Sequence, residues 1–275
     1  MDRRPTKASL QSFKREILSH YKLNKRAMPW RDNTSPYYVV VSEIMLQQTQ
    51  VDRVRTKFAS FIKRFPDWKT LVQASNHQAL SEWSGLGYNR RGLYLKRIAE
   101  IVAKNGEGCL KTKESLLELP GIGPNTAGSI LAFAFNIPIT FIETNVRSVF
   151  IHFFFKDSKK KISDSKIMPL IEQTMDTKEP REWYYALMDY GSYLKRSQPN
   201  PSRKSAHHIK QKPFKGSNRE LRSNILKMLM NKGSSAFSVE KRFKSEWSAA
   251  QIRKSLTDLE KEGFLKKGGR VYQIA

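Results

Sequence analysis

The sequence predicts a mainly α-helical chain that ends in a small unit of helices and a hairpin. Three observations carry this. Apolar residues recur at three- and four-residue spacing through most of residues 8–195. No repeated strand–turn–strand signature occurs before residue 260. Two capping boxes, Ser217-x-x-Glu220 and Ser248-x-x-Gln251, announce late helices, and Gly268-Gly269 separates two short β-rich segments.

Taken in order, SLQSFKREILSHY reads as the first helix. Ser35-Pro36 reads as an N-cap with proline at the first helical position, opening PYYVVVSEIMLQQTQVDRV. The β-branched trio Val39–Val41 suits a strand as well. Further helices are expected at 51–64, 67–74, 77–83, 90–104, 112–118, 125–135, 144–154, 163–175 and 180–195, with polar or Gly/Pro turns between them. Composition changes after Leu194. The run KRSQPNPSRKSAHHIKQKPFKG holds no acid and little apolar material, the pattern of a basic linker. Beyond it, LRSNILKMLM, SVEKRF and IRKSLTDLEKEG read as helices and GFLKKGGRVYQIA as a hairpin, which fits a winged helix or a generic small α+β domain. Arg253 and Lys254 early in the last helix, with Lys266, Lys267 and Arg270 on the hairpin, favour contact with DNA. The expected organisation is a helical domain at 1–195, a linker at 196–216 and a winged helix at 217–275.

Fifty Lys and Arg stand against twenty-five Asp and Glu, a formal charge of +25. Such an excess invites a polyanion: nucleic acid first, acidic lipid second, though no lipid-anchor motif is present. No apolar run has membrane-spanning length, and MDRRPTKASLQSFKREIL lacks the apolar core of a secretory signal. A cytoplasmic protein is expected, nucleoid-associated in a prokaryote. The single cysteine, Cys109, excludes an intrachain disulfide and any site built from several thiolates. The absence of a long heptad pattern predicts a monomer.

Residues 119–128, LPGIGPNTAG, place helix-breaking residues between two apolar helical runs. Glycines at Gly121 and Gly123 let the backbone turn sharply, and the first amides of the next helix, around Asn125 and Thr126, carry the positive end of its dipole. Such a hairpin suits a phosphate without reading any base; it also suits a plain helical hairpin. The chain's charge favours phosphate. Glu43 has Val39, Val40, Leu46 and Gln47 as its three- and four-residue neighbours. It is either a desolvated acid with a raised pKa or an exposed break in the apolar stripe. Glu143, in PITFIETNVRSVF, reads as an acid favoured by a helix N-terminus.

LPGIGPNTAG followed by Glu143 resembles the helix-hairpin-helix DNA glycosylase superfamily. MPWR at 28–31, SEIMLQQTQV at 42–51 and GLGY at 85–88 are similar to the MutY-type adenine glycosylases within it, and the resemblance covers roughly residues 8–195. It implies a two-lobed, all-helical glycosylase fold whose partner is double-stranded DNA with a mispaired or damaged base. Glu43 falls on the catalytic acid that protonates departing adenine at N7. Glu143 falls where the superfamily almost always has an aspartate that stabilises the oxocarbenium-like sugar, and its side chain is one methylene longer. Asn145 matches a retained asparagine. Trp30, Arg31, Tyr185 and Met188 fall on the base pocket, with Tyr185 replacing a glutamate or glutamine. Gln48 and Tyr88 match residues that push into the base stack. Asn125 stands where strand-cutting relatives carry a lysine, which implies hydrolysis without strand cleavage. Most relatives hold a four-iron cluster on four cysteines; here the first of those places is Lys195 and the rest fall in the basic linker, so neither a cluster nor another cofactor or metal is expected. The C-terminal sixty or so residues do not resemble the usual 8-oxoguanine-reading domain. The expected activity is removal of adenine opposite 8-oxoguanine or guanine. A thymine or uracil mismatch glycosylase, or a silent protein that binds distorted duplex, are the alternatives.

Overall fold

Several helices of the computed structural model start on a side chain that caps them, as at Thr6, Asp67, Ser75, Thr112, Glu143, Ser235 and Ser248. The structure describes residues 5–209 and 213–275; residues 1–4 of the expected first domain and 210–212 of the expected linker lie outside the described residues. In chain order the elements are α1 (Lys7–Asn24), α2 (Pro29–Asp32), α3 (Pro36–Leu46), α4 (Val51–Arg64), α5 (Trp68–Gln73), α6 (Asn76–Trp83), α7 (Arg90–Asn105), α8 (Lys113–Leu117), α9 (Pro124–Phe135), α10 (Thr144–Phe154), α11 (Asp164–Thr174) and α12 (Pro180–Ser197). After these come α13 (Asn218–Asn231), β1 (Ser234–Ser235), α14 (Ala236–Phe243), α15 (Ala249–Lys261), β2 (Leu265–Gly268) and β3 (Val271–Ile274). The chain is mainly helical, as expected.

Two local expectations are corrected. Val39–Val41 are helical, inside α3, and the helix opened by Pro36 does not run on through QQTQ. It ends at Leu46, Gln48 turns into the left-handed region at φ 54°, and α4 begins at Val51. The short α2, capped by nothing but Pro29 at its first position, was not anticipated.

The chain divides into two compact units, each assembled from two separate stretches: Met1–Glu43 with Glu107–Lys210, and Ile44–Gly106 with Gln211–Ala275. In the first unit α12 packs against α1 and α10. Phe13 of α1 sits among Phe150, Phe153, Phe154 and Trp183, with ring centroids 4.9–5.9 Å away. Two glycines set close approaches. A Cβ on Gly128 of α9 would lie 2.5 Å from Phe141 Cβ, and one on Gly191 of α12 would lie 2.5 Å from the Asn145 carbonyl. Between α8 and α9 the chain anchors Leu119 and Ile122 in the core and turns at Gly121, whose φ of +77° favours glycine. Gly123 is the extended N-cap and Pro124 the first helical residue.

Residues 198–206, expected in the linker, are docked on this unit. Ile162 N donates to Lys204 O at 2.9 Å, Ala206 N to Ile162 O at 2.8 Å, and Ser202 and Ser205 are buried. Composition registered the charges on the outer side of this segment and not the two small hydroxyl residues that seat it.

In the second unit α4–α7 lie with the C-terminal elements. Leu80 of α6 belongs to the same buried cluster as Leu221, Ile225, Val239, Ile252, Leu256 and Phe264, and the His77 ring Nε2 lies 2.8 Å from Met230 O. β1 and β2 both pair antiparallel with β3, in the order β1-β3-β2. Gly268 pairs with Val271, so the turn is Gly269-Arg270, one residue later than expected, with Gly269 at φ +60°. β1 is too short for a sequence period to show. The Ser248–Gln251 capping box forms. The one at Ser217 does not: Ser217 Oγ donates to Phe214 O, and Glu220 Oε2 accepts from Gly216 N at 2.6 Å instead.

Gly128→Ala is expected to destabilise the fold by about 1–3 kcal/mol through overpacking against Phe141. Thermal unfolding should show it as a lowered Tm, whereas Gly108→Ala, with open space around the new methyl, should leave Tm near its starting value. Equal Tm values for the two variants would mean α9 shifts freely.

Candidate active site

α3 places Glu43 on a helix buried on nearly every side: Val39, Val40, Val41, Ile44 and Met45 are each 2% exposed or less. Part of Glu43 remains accessible. Its carboxyl is nonetheless so desolvated that burial pushes the pKa up to about 7. The Ser129 hydroxyl and Arg31 oppose that rise, and the negative charge of Glu143 adds to it. Of the two readings open for Glu43, the desolvated acid is the one the structure contains.

Ser129 Oγ lies 2.6 Å from Glu43 Oε2 and 2.9 Å from the Thr126 carbonyl. A serine has one hydroxyl proton, which these two acceptors share. Its bond to Glu43 favours the ionised carboxylate and so works against burial.

Glu143 is the N-cap of α10. Its Oε1 accepts from Asn145 N at 2.8 Å and Val146 N at 3.0 Å, and its Oε2 from Asn145 Nδ2 at 3.2 Å. The extra methylene relative to aspartate is absorbed by curling the side chain back over its own helix start, where the dipole favours a carboxylate. Lys195 Nζ, on α12, donates to Asn145 Oδ1 at 2.7 Å. Burial holds the Lys195 ammonium below its ordinary range, against the pull of Glu143. Glu143, Asn145 and Lys195 thus form one linked group.

A second group surrounds Asp189. This carboxylate, 1% exposed, takes a two-pronged bond from Arg31 (3.0 and 2.9 Å) and bonds from Arg26 N (2.9 Å) and Nε (2.7 Å). Burial pushes its pKa up, but the Arg31 and Arg26 donors outweigh burial and leave it lowered. Arg31 lies over the Tyr185 ring, Cζ 4.3 Å from its centroid, and Tyr185 stacks on Phe133 at 4.7 Å. Burial raises the Tyr185 pKa, and Arg31 and Glu43 both act on it, so the two groups meet at Tyr185. Trp30 is buried, and Met188 is partly exposed on α12, one turn beyond Tyr185.

The remaining sequence-derived residues lie elsewhere. On the hairpin, Gly121, Gly123 and Asn125 are exposed and Thr126 partly so; Asn125 Oδ1 accepts from Ile142 N at 3.4 Å. Gln48 and Tyr88, in the second unit, both hold positive φ, 54° and 48°. In the C-terminal elements Arg253 bonds Glu240 (2.6 Å), Lys254 bonds Asp258 (2.9 Å), and Lys267 Nζ sits 5.5 Å from the Tyr272 ring centroid.

Ser129, Lys195 as an Asn145 partner, and Arg26 were not found as site residues from the sequence. Ser129 left a faint signal: it is the one hydroxyl in the apolar run AGSILAFAF. The bond of Lys195 to a residue fifty positions away left none. A four-thiolate cluster does not fit this chain: Lys195 is committed to Asn145, and Cys109 is its only thiol. Among the described residues no group of three or more His, Cys, Asp or Glu side chains is arranged for a metal ion, and no helix is long and apolar enough to cross a membrane.

Beside this helical hairpin, desolvated glutamic acid and capping glutamate, residues 41–173 match the family model of the HhH-GPD superfamily of base excision DNA repair proteins. Within it the chain is similar to adenine DNA glycosylases. That of Buchnera aphidicola subsp. Baizongia pistaciae is 33% identical over 184 residues, 66% of this chain and 52% of the relative. The Homo sapiens protein is 32% identical over 197 residues, 67% and 36%. That of Mycolicibacterium smegmatis is 37% identical over 136 residues, 49% and 46%. The chain spans about half the length of the bacterial relatives it matches. Its fold is shared with a thermostable thymine-DNA glycosylase (TM-score 0.60, 19% identity, 72% of this chain and 93% of that one). It is also shared with endonuclease III in a trapped covalent complex with DNA (TM-score 0.58, 14% identity, 72% and 94%).

Ser129→Ala is expected to raise the Glu43 pKa further, because the hydroxyl now opposes burial; carboxyl titration by carbon NMR would read it, and a fall would refute the assignment. The raised pKa also makes a stability prediction. Between its ordinary range and about 7, Glu43 is protonated in the folded state and ionised in the unfolded one, so stability is lost as pH rises through that window. Glu43→Gln should therefore gain on the parent protein between pH 4 and pH 8, by on the order of 1–3 kcal/mol in denaturant unfolding. A pH-independent difference would exclude desolvation as the cause.

Proposed function

We propose that the chain is a monofunctional DNA glycosylase of base excision repair, which hydrolyses adenine from a mispair with 8-oxoguanine or guanine and leaves an abasic site. The observation that carries this reading is Glu43, a carboxyl on the buried α3 whose pKa burial pushes up to about 7, within electrostatic reach of a second carboxylate. Breaking a glycosidic bond calls for an acid at the leaving group and negative charge at the sugar. Glu43 protonates adenine at N7, and Glu143 steadies the oxocarbenium-like sugar. Asn145 holds Glu143 in place, through its own amide and side chain, and Lys195 holds Asn145.

Trp30, Arg31, Tyr185 and Met188 form the base pocket, with Arg31 fixed by Asp189 and therefore unable to swing away. Extrusion of the base is a cost that residues entering the stack offset, the part taken by Gln48 and Tyr88. Asn125 offers no amine for a Schiff base, so the product strand stays intact. DNA phosphates lie on the hairpin at Gly121, Gly123, Asn125 and Thr126. The C-terminal elements act as a winged helix that adds Arg253, Lys254 and Lys267 to the DNA surface, and the chain acts as a monomer in the cytoplasm or nucleoid. Because Arg253 and Lys254 are each paired with an acid, they contribute less to affinity than their charge suggests.

One observation favours a second substrate. Tyr185, packed against Phe133 and Arg31, replaces the carboxylate or amide of the family with a phenol, which removes an acceptor suited to adenine and leaves room for thymine or uracil opposite guanine. Labelled duplexes with adenine:8-oxoguanine, thymine:guanine and uracil:guanine pairs, with and without alkali, separate the readings. Strand breakage of the adenine duplex only after alkali is the expected result. Glu43→Gln should bind that duplex and lose roughly 100- to 10,000-fold in single-turnover rate, the range of general acid catalysis. Full turnover by this variant would overturn the role of Glu43, and no product from any duplex at saturating binding would favour a silent DNA-binding protein.

A further inference from the structure

The unit formed by residues 44–106 and 211–275 contains a cavity of about 1120 Å³, lined on one side by the segment from Ser84 to Tyr94 and on the other by Phe214 and α13. This is ample for a nucleotide, since ligand sites commonly run from roughly 300 to 1,000 Å³. Its wall combines aromatic faces (Tyr88, Tyr94, Phe214), amides (Gln48, Asn218) and the Arg219 guanidinium. Stacking surfaces beside planar donors are the chemistry that receives an unstacked nucleobase.

Three details separate this cavity from a gap between packed elements. Among its cations, Arg90 and Arg222 are both paired with Glu262, at 2.6 and 2.5 Å, and Arg219 lies against the wall, its Nη2 donating to Pro213 O at 3.4 Å. Arg219 Nη1 donates to the Tyr88 hydroxyl at 2.9 Å and its Cζ lies 5.8 Å from that ring's centroid. Gln48 and Tyr88 are both in the left-handed region, which favours glycine, and the Arg91 guanidinium enforces this by donating to the carbonyls of Ile44, Met45, Leu86 and Gly87. Strain of that kind, over-determined by buried bonds, is typical of functional sites. Finally, Phe214 is exposed and Tyr88 is 39% exposed, although both are large aromatic residues.

We propose that this cavity receives the base opposite the excised one, and that Arg219, with Phe214 and Asn218, makes the C-terminal part of the chain the reader of that base. The inference rests on the reading above in which Gln48 and Tyr88 enter the stack. The preferred ligand is a purine with a carbonyl at C6, guanine or its oxidised form. A forked guanidinium pairs with such a purine edge, and an aromatic ring covers its face. Asn218 Oδ1 accepts from Ser255 Oγ at 3.0 Å, a bond that orients its amide.

The test uses the full chain and a duplex with a tetrahydrofuran abasic-site analogue, so that binding is read without excision. The fluorescent guanine analogue 6-methylisoxanthopterin stands opposite the analogue in one arm, and guanine or cytosine in the others. The parent protein should change the probe's fluorescence and prefer guanine to cytosine. Arg219→Ala should abolish the fluorescence change and cut the preference about tenfold, the low end for a two-pronged base contact. Arg219→Lys, which keeps the charge and loses the fork, should not restore it. Phe214→Ala should lose the fluorescence change, and Phe237→Ala, on an exposed face of α14, should behave as the parent. Both Arg219 variants keeping the full preference and fluorescence change would overturn the proposal. Failure of the glycosylase reading looks different: no base release from any duplex by the parent protein, with the Arg219 effect on binding still present.

Discussion

The rest of the candidate site depends on the desolvation of one carboxyl. Among the described residues no arginine or lysine is ion-paired with Glu43; what it has is a helix of valines, isoleucine and methionine, a serine hydroxyl, and a neighbouring glutamate that makes its own ionisation less favourable. Burial of a charge is costly unless it is paired, so the group resolves the conflict by keeping its proton. That proton is the one given a chemical use above. Anything that moved α9 away from α3 would admit water and undo the desolvation that retains it. The contact of Gly128 with Phe141 is what seats α9 where Ser129 can reach.

α12 is the framework of the same site. Tyr185, Met188, Asp189, Gly191 and Lys195 all belong to it. Asp189 fixes Arg31 over Tyr185, Gly191 admits the start of α10, and Lys195 ties down Asn145 and through it Glu143. One helix therefore sets the positions of both the residues proposed as the base pocket and the capping carboxylate. The substitution of glutamate for the family's aspartate is accommodated here: a longer side chain still caps α10, because it folds back onto amides two and three residues ahead of it.

Much of this was legible in the sequence. Helix ends from α4 to α12 agree with expectation to within a residue or two, because capping residues, prolines and glycines act on the backbone within one turn. The buried character of Glu43 was one of two readings, and its apolar neighbours at three and four residues were the reason. Less legible were features that need a partner. Ser217 and Glu220 have the spacing of a capping box, yet each found a different acceptor or donor nearby. The acid-free run after Leu194 looked like a tether, and its first part is docked by two buried serines. The C-terminal helices read as a separate domain, and their core includes Leu80.

The sequence by itself determined the helical class, the hairpin at 119–128 with its required glycine, and the candidate acids, since each of these follows from chemistry confined to one or two turns. Only the tertiary structure decided which polar groups meet. Ser129 and Glu43 are 86 residues apart, Arg31 and Asp189 158, and Arg219 and Tyr88 131. Local propensity says nothing about such pairs. They form because apolar faces, once packed, leave each buried donor and acceptor no water to turn to, and so select the partner that the fold brings within reach.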